Sequence, residues 1–340
     1  ISKAEKNYQY FIDQGFKDHR VFSNYSVILK NLGKLKEAQL YTRKAIEINP
    51  NFAEAHSNLG NILKDLGKLQ EAFDSYLKTV DINPTLANIY PSITRFLRDS
   101  DPSKLNKSKL KDILNLLLDR NDITHKELIR VFNFVYSNEI INSLEKVYFD
   151  FSKIELLIHR KAIINALKKI IFKDIGIEKV LTKVRRNVCD LISKNIEIIN
   201  YSELQFIIAL GEQCFLNEYV YSSTEAEKLS LNIIINKCMN DELNEKNISI
   251  LSCYYPLYKL LDQIPSLKSF NSSNQSFKEL IELQITEPLK EIDLSKNIKK
   301  LGRINDSISQ KVKLQYEENP YPRWRYGNNL ESQKISITQR

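Results

Sequence analysis

LGKLKEA at residues 32–38 returns as LGKLQEA at residues 66–72, 34 positions later. The register extends beyond that string: Gly33 recurs as Gly67, Ala38 as Ala72, and Asn49-Pro50 as Asn83-Pro84. Apolar residues spaced three and four apart flank each glycine, which is the pattern of two amphipathic helices joined by a short turn. The period therefore predicts helical hairpins, with complete units at 19–52 and 53–86.

A hairpin repeat of this length resembles the tetratricopeptide repeat (TPR), in which small residues at the helix crossings let two antiparallel helices pack closely and a proline closes the unit. In the first unit Tyr25 and Leu29 fill the apolar face of the first helix, Gly33 ends it, and Ala38 and Ala45 permit the close approach. In the second unit Leu59, Gly60, Leu63, Gly67, Ala72 and Tyr76 take these positions, while Ser26 and Thr79 depart from the small residues usual there. Residues 4–16 keep the register of a second helix, with Ala4 matching Ala38, so 1–18 is read as a partial unit of an array expected to extend upstream. Residues 87–101 begin a third unit through Ile89, Tyr90, Ile93 and Leu97 and stop at Asp101-Pro102.

First helices line the concave side of such an array. Here that row carries Asn24, Asn58 and Asn61 with Lys30, Lys64 and Asp65, and Asn24 and Asn58 stack because they are one period apart. A side-chain amide both donates and accepts, which suits it to gripping an extended peptide backbone. The string SNLGNIL (57–63) also resembles the repeats of protein O-linked N-acetylglucosaminyltransferases, which implies peptide held by an asparagine ladder. A protein or peptide partner is expected.

Composition removes other classes. The eight glycines never lie closer than seven residues apart, so no glycine-rich phosphate loop or dinucleotide fingerprint can form. Cys189, Cys214, Cys238 and Cys253 form no CxxC pair and are expected as buried free thiols, with neither a metal site nor disulfides. No apolar run is long enough to span a bilayer, and a cytoplasmic location is expected. The net charge of +8 is concentrated at 153–194, which holds 11 Lys or Arg against four Asp or Glu. Aromatics are not interleaved with those charges, so nucleic acid is not the expected partner.

Beyond the repeats, helical periodicity continues at about 105–119, 124–138, 151–173, 177–194, 201–216, 224–240, 245–262 and 277–291, with capping boxes expected at Thr124–Glu127 and Thr224–Glu227. On 177–194 the buried stripe is Ile177, Val180, Val184, Val188 and Leu191, with Lys179, Lys183 and Arg186 opposite. His125 and His159 lack a nucleophile or ligand partner at helical spacing, and Glu225 and Glu227 read as first-turn partners of the helix dipole, so no catalytic residue is assigned.

Two strings stand apart. QCFLNEYVY (213–221) embeds Asn217-Glu218 among large apolar residues, as an internal hydrogen-bonded junction would. In QYEENPYPRW (315–324) Pro320 and Pro322 stop regular structure and leave an extended segment anchored by Tyr316, Tyr321 and Trp324, read as a docking linker. With CYYPLYKL (253–260) and ITEPLKEI (285–292), in this order after the repeats, they resemble a bacterial family of TPR-containing SAM-dependent methyltransferases. The resemblance implies a methyltransferase domain in cis after the linker, SAM as its cofactor, and no cofactor within these residues. The expected organisation is all-α: a TPR array at 1–101, an all-helical domain at 102–305, and a helix with a proline-aromatic tail at 306–340. Its alternatives are the TPR portion of an O-linked peptide glycosyltransferase and a stand-alone assembly adaptor.

Overall fold

The computed structural model describes residues 2–143, 155–195, 199–240, 242–296 and 306–318, and among them there is no strand. The chain divides into two units, one from Ile1 to Val135 and one from Tyr136 to Gly327.

The first unit opens with α1 (Ser2–Asp13), then α2 (His19–Asn31) and α3 (Leu35–Ile48), then α4 (Ala53–Asp65) and α5 (Leu69–Ile82). Both hairpins turn in the same way. Gly33 and Gly67 adopt left-handed φ of +77° and +74°, and the next amide closes back on the helix, Lys34 N to Leu29 O and Lys68 N to Leu63 O, each at 2.9 Å. The Asn-Pro closures also repeat, because the Asn49 and Asn83 side chains each accept the backbone N–H two residues on, at 3.1 Å. Ala38, Ala45 and Ala72 are fully buried, and a Cβ added to Gly60 would lie 2.7 Å from the Tyr76 ring. Ser26 and Thr79 are accommodated at their buried positions by bonding within their own helices, to Ser23 O at 2.7 Å and Ser75 O at 3.0 Å.

α6 (Ile89–Asp99) buries Ile89, Tyr90, Ile93 and Leu97, as the partial third unit requires. A 3-10 turn (Pro102–Lys104), α7 (Lys107–Asp119), a second 3-10 turn (His125–Leu128) and α8 (Ile129–Asn142) come next. Residues 102–135 thus stand with the repeats: the Asn106 amide donates to Gln70 Oε1 at 2.8 Å, and Lys109 pairs with Asp74 at 2.7 Å. The capping box expected at Thr124 does not form, since Thr124 makes no side-chain cap bond and Glu127 pairs instead with Arg98 at 3.1 Å. A 3-10 start explains the loss, because its tighter turn displaces the third amide from the α-helical capping geometry. His125 is buried, with Nε2 2.8 Å from Arg120 O.

The second unit contains α9 (Glu155–Ile158), α10 (Lys161–Lys169), α11 (Ile175–Lys194), α12 (Tyr201–Leu216), α13 (Glu225–Met239) and α14 (Glu245–Ser252). It continues through α15 (Gln275–Ile281), a π turn (Glu282–Thr286), α16 (Glu287–Lys296) and α17 (Ser307–Glu318). α12 forms the centre: every residue from Phe206 to Leu216 is buried, and α10, α11, α14 and α15 pack around it. The single amphipathic stretch expected over 151–173 is broken between α9 and α10 at His159-Arg160, and the one expected over 245–262 stops at Ser252 and resumes as a 3-10 turn after Pro256. Pro288, the second residue of α16, has no amide hydrogen for the carbonyl four residues back, and the helix widens into the π turn that ends at Thr286 just before it.

Candidate functional site: the row of first helices

α2 and α4 lie side by side, which places the six expected residues of the row on neighbouring helices. Asn58 Nδ2 donates to Ser23 Oγ across the two helices at 3.1 Å. Asn61 Oδ1 accepts the Tyr76 hydroxyl at 2.9 Å, which ties the row to the second helix of the same hairpin. Burial, with Asp65 nearby, pushes the Tyr76 phenol up, so it stays a neutral donor. Lys30 Nζ reaches Asp65 Oδ2 at 3.0 Å, again bridging α2 and α4. Asn24 is exposed, and Lys64 is half-buried and joins no ion pair among the described residues.

The amide row therefore holds the helices together and keeps bonding capacity to spare. Asn58 and Asn61 each spend one polar atom on holding helices in register and retain others: the carbonyl oxygen and one amide hydrogen of Asn58, and both amide hydrogens of Asn61.

Sequence reasoning missed the continuation of this row into α6. One period beyond Lys64 and Asp65 stand Arg98 and Asp99, and one beyond Asn61 stands Arg95. Asp99 is held below the usual carboxylate range by the Arg98 hydrogen bond at 2.7 Å, with Lys64 and Arg95 adding positive charge around it. The 34-residue register was the signal that could have located them.

In the second unit, two of the strings singled out from the sequence, QCFLNEYVY and CYYPLYKL, meet at one side chain. Gln284, the residue before ITEPLKEI, donates through Nε2 to Gly211 O at 3.0 Å and to Ser252 O at 3.2 Å. Its Oε1 accepts Tyr219 Oη and Leu257 N, both at 3.3 Å. Within QCFLNEYVY, Glu218 and Tyr219 are both left-handed at φ 58°, a conformation that non-glycine residues seldom adopt in succession. The Asn217 side-chain amide is enclosed beside the Tyr221 hydroxyl, and Glu218 is exposed. Of the docking linker, Tyr316 falls on the backbone of α17, while Pro320, Tyr321, Pro322 and Trp324 lie outside the described residues.

Beside these strings lies a buried ionic network that the sequence did not disclose. Arg185, 1% exposed, reaches Glu227 Oε1 at 3.3 Å and the Ser222 carbonyl at 2.7 Å. Glu227 Oε1 also accepts the Tyr254 hydroxyl at 2.8 Å, and Oε2 takes the Thr224 amide at 2.7 Å and Arg186 at 3.2 Å. The Thr224–Glu227 capping box forms as expected, but Glu227 is more than a dipole partner because it also neutralises a buried guanidinium. Every bond it makes serves the fold, and burial pushes the nearby Cys189 thiol up to about 12, far from a nucleophile's range.

Residues 19–52 match the Tetratricopeptide repeat family, and residues 41–74 match it a second time. The first unit carries TPR repeats. The second match is offset, running from the latter part of α3 through α4 into α5, so the contact between successive TPR units also reads as a family hairpin. No curated protein matches the chain. Among the described residues no helix is long and apolar enough to cross a membrane, and no group of His, Cys, Asp and Glu is arranged to hold a metal.

Proposed function

We propose that the row on α2, α4 and α6 holds an extended segment of a protein partner. The carrying observation is the surplus hydrogen-bonding capacity along it: Asn24 is exposed, and Asn58 and Asn61 keep donors and an acceptor beyond those they use to align the helices. Such groups bind main-chain amides without reading side chains. The test is fluorescence anisotropy with a labelled, degenerate peptide library against the wild type and the Asn24→Ala/Asn58→Ala pair. With each lost bond worth ~1 kcal/mol, the pair should weaken binding by about tenfold or more. Unchanged affinity would remove the amides from recognition.

On the resemblance of its later strings, the chain further reads as the substrate-targeting portion of a cytoplasmic SAM-dependent methyltransferase whose catalytic domain lies in cis. Support comes from the meeting of QCFLNEYVY and CYYPLYKL, whose Tyr219 and Leu257 both bond Gln284, the residue before ITEPLKEI. SAM would belong to the catalytic domain. The coding sequence past Arg340 provides the test: a strand and glycine-rich loop within about 60 residues supports the methyltransferase, whereas an early stop codon supports a stand-alone adaptor.

A further inference from the structure

We propose that the end of the row formed by α4 and α6 selects a carboxylate side chain within the bound segment, so that the partner is an acidic peptide. This rests on the reading of the row as a peptide groove. The charges along the row are not evenly matched. At the step from α2 to α4, Lys30 is spent on Asp65 at 3.0 Å. One period on, Lys64 and Asp99 stand at the same two positions, but Asp99 is taken by Arg98, whose Nε and Nη2 reach its two oxygens at 2.7 and 3.2 Å. Arg98 Nη1 goes to Glu127 at 3.1 Å. Lys64 is thereby left half-buried without an ion pair among the described residues, and Arg95 is exposed and makes none either.

The neutral group beside these cations has the same polarity. Asn61 stands three residues before Lys64 on α4, hence on the same face, and Arg95 stands one period beyond Asn61 on α6. Arg95 and Asp65 both bear on the Tyr76 hydroxyl that bonds Asn61, and Lys64 and Arg95 both bear on Asp99, so the two cations flank one spot. The Tyr76 hydroxyl occupies Asn61 Oδ1, which leaves Asn61 only its amide hydrogens to present. Amide, ammonium and guanidinium are then all donors, while Asp65 and Asp99 are already engaged by Lys30 and Arg98. A carboxylate, with two oxygens that each accept more than one bond, completes such a set, and a lysine or arginine is repelled by it. The row thus grips main chain at Asn24 and Asn58 and selects an acid at its far end.

The test uses the full 340-residue chain and two labelled libraries of short peptides, acetylated and amidated at their ends, read by fluorescence anisotropy. They are degenerate except at alternate positions, which hold glutamate in one library and glutamine in the other. The glutamate library should bind the wild type about tenfold more tightly, with the difference shrinking as salt is raised. Lys64→Gln/Arg95→Gln should erase that preference. Lys36→Gln/Lys78→Gln, which removes the same charge from exposed positions on α3 and α5, should keep it. Equal binding of the two libraries, with the Asn24→Ala/Asn58→Ala effect intact, would overturn this inference alone. So would a preference lost equally in both charge-removing pairs, or one that appears only when the peptide C-terminus is left free. Binding of neither library would overturn the groove reading along with it.

Discussion

The guanidinium carbon of Arg185 lies 4.1 Å from the ring centroid of Tyr254, and both side chains end on the same carboxylate oxygen of Glu227. A cation, a ring face and an anion are thereby closed into one buried cycle.

Arg185→Leu should destabilise the second unit by about 3 kcal/mol, the lower end of the cost of leaving a buried charge without its partner, because Arg186, Thr224 and Tyr254 still bond Glu227. Urea unfolding monitored by tyrosine fluorescence measures it. A loss below about 1 kcal/mol would mean that the guanidinium contributes packing alone.

Acid should weaken the same unit through Glu227. Burial raises its carboxyl, but hydrogen bonds from the Thr224 amide, the Tyr254 and Thr224 hydroxyls and Arg186 outweigh burial and leave it below its ordinary 4.5. The stabilisation is therefore complete above pH 4.5 and is lost as pH falls through the lower folded-state value. Denaturation midpoints measured from pH 6 downward should fall more steeply in the wild type than in Glu227→Gln, and parallel curves would exclude this linkage.

The buried thiols should resist alkylation. Burial pushes Cys189 up to about 12 and Cys238 up to about 11, and raises Cys253 well above its usual value. Because the thiolate is the reactive form, iodoacetamide at pH 8 should leave the native protein unmodified over a time in which it labels all four cysteines in urea, read as mass increments. Rapid native labelling at Cys189 would contradict the enclosure described.

Gly60→Ala should cost roughly 1–3 kcal/mol, the usual penalty of an added carbon in a packed crossing. The new Cβ meets the Tyr76 ring, which is held by Asn61 and lies against Phe96, with centroids 5.3 Å apart. Gly60→Ala combined with Tyr76→Leu should recover part of that loss in thermal unfolding. No recovery would place the strain elsewhere.

The TPR hairpins were legible in the sequence to within a few residues because the glycine at the turn, the alanines at the crossings and the Asn-Pro closure each repeat, and every one answers a local requirement. Arg185 was not legible, because a five-residue stripe on α11 assumes packing on one side only. α12, α13 and α14 all pack against α11, so the buried arc widens to take in Leu181, Arg185 and Cys189, and at its end Ile192 is buried while Leu191 is only half-buried. The break between α9 and α10 was hidden in the same manner, since apolar spacing of three and four continues across His159-Arg160 although the helix does not. In the row of first helices the amides were visible, but Ser23, which occupies one of them, was not: its role depends on the facing helix, information that spacing along one helix lacks.

The π turn before Pro288 fixes the length of its helix. Each residue of an α-helix turns the chain by about 100°, so deleting one residue between Thr286 and Lys296 rotates only the helix C-terminal to the deletion, whereas deleting one from 282–283 swings Gln284 away from Gly211 and Ser252. Insertions and deletions in relatives of this chain should therefore avoid the segment from Gln275 to Gln284 and collect on its far side, leaving a stretch of constant length that can serve as an anchor for aligning them.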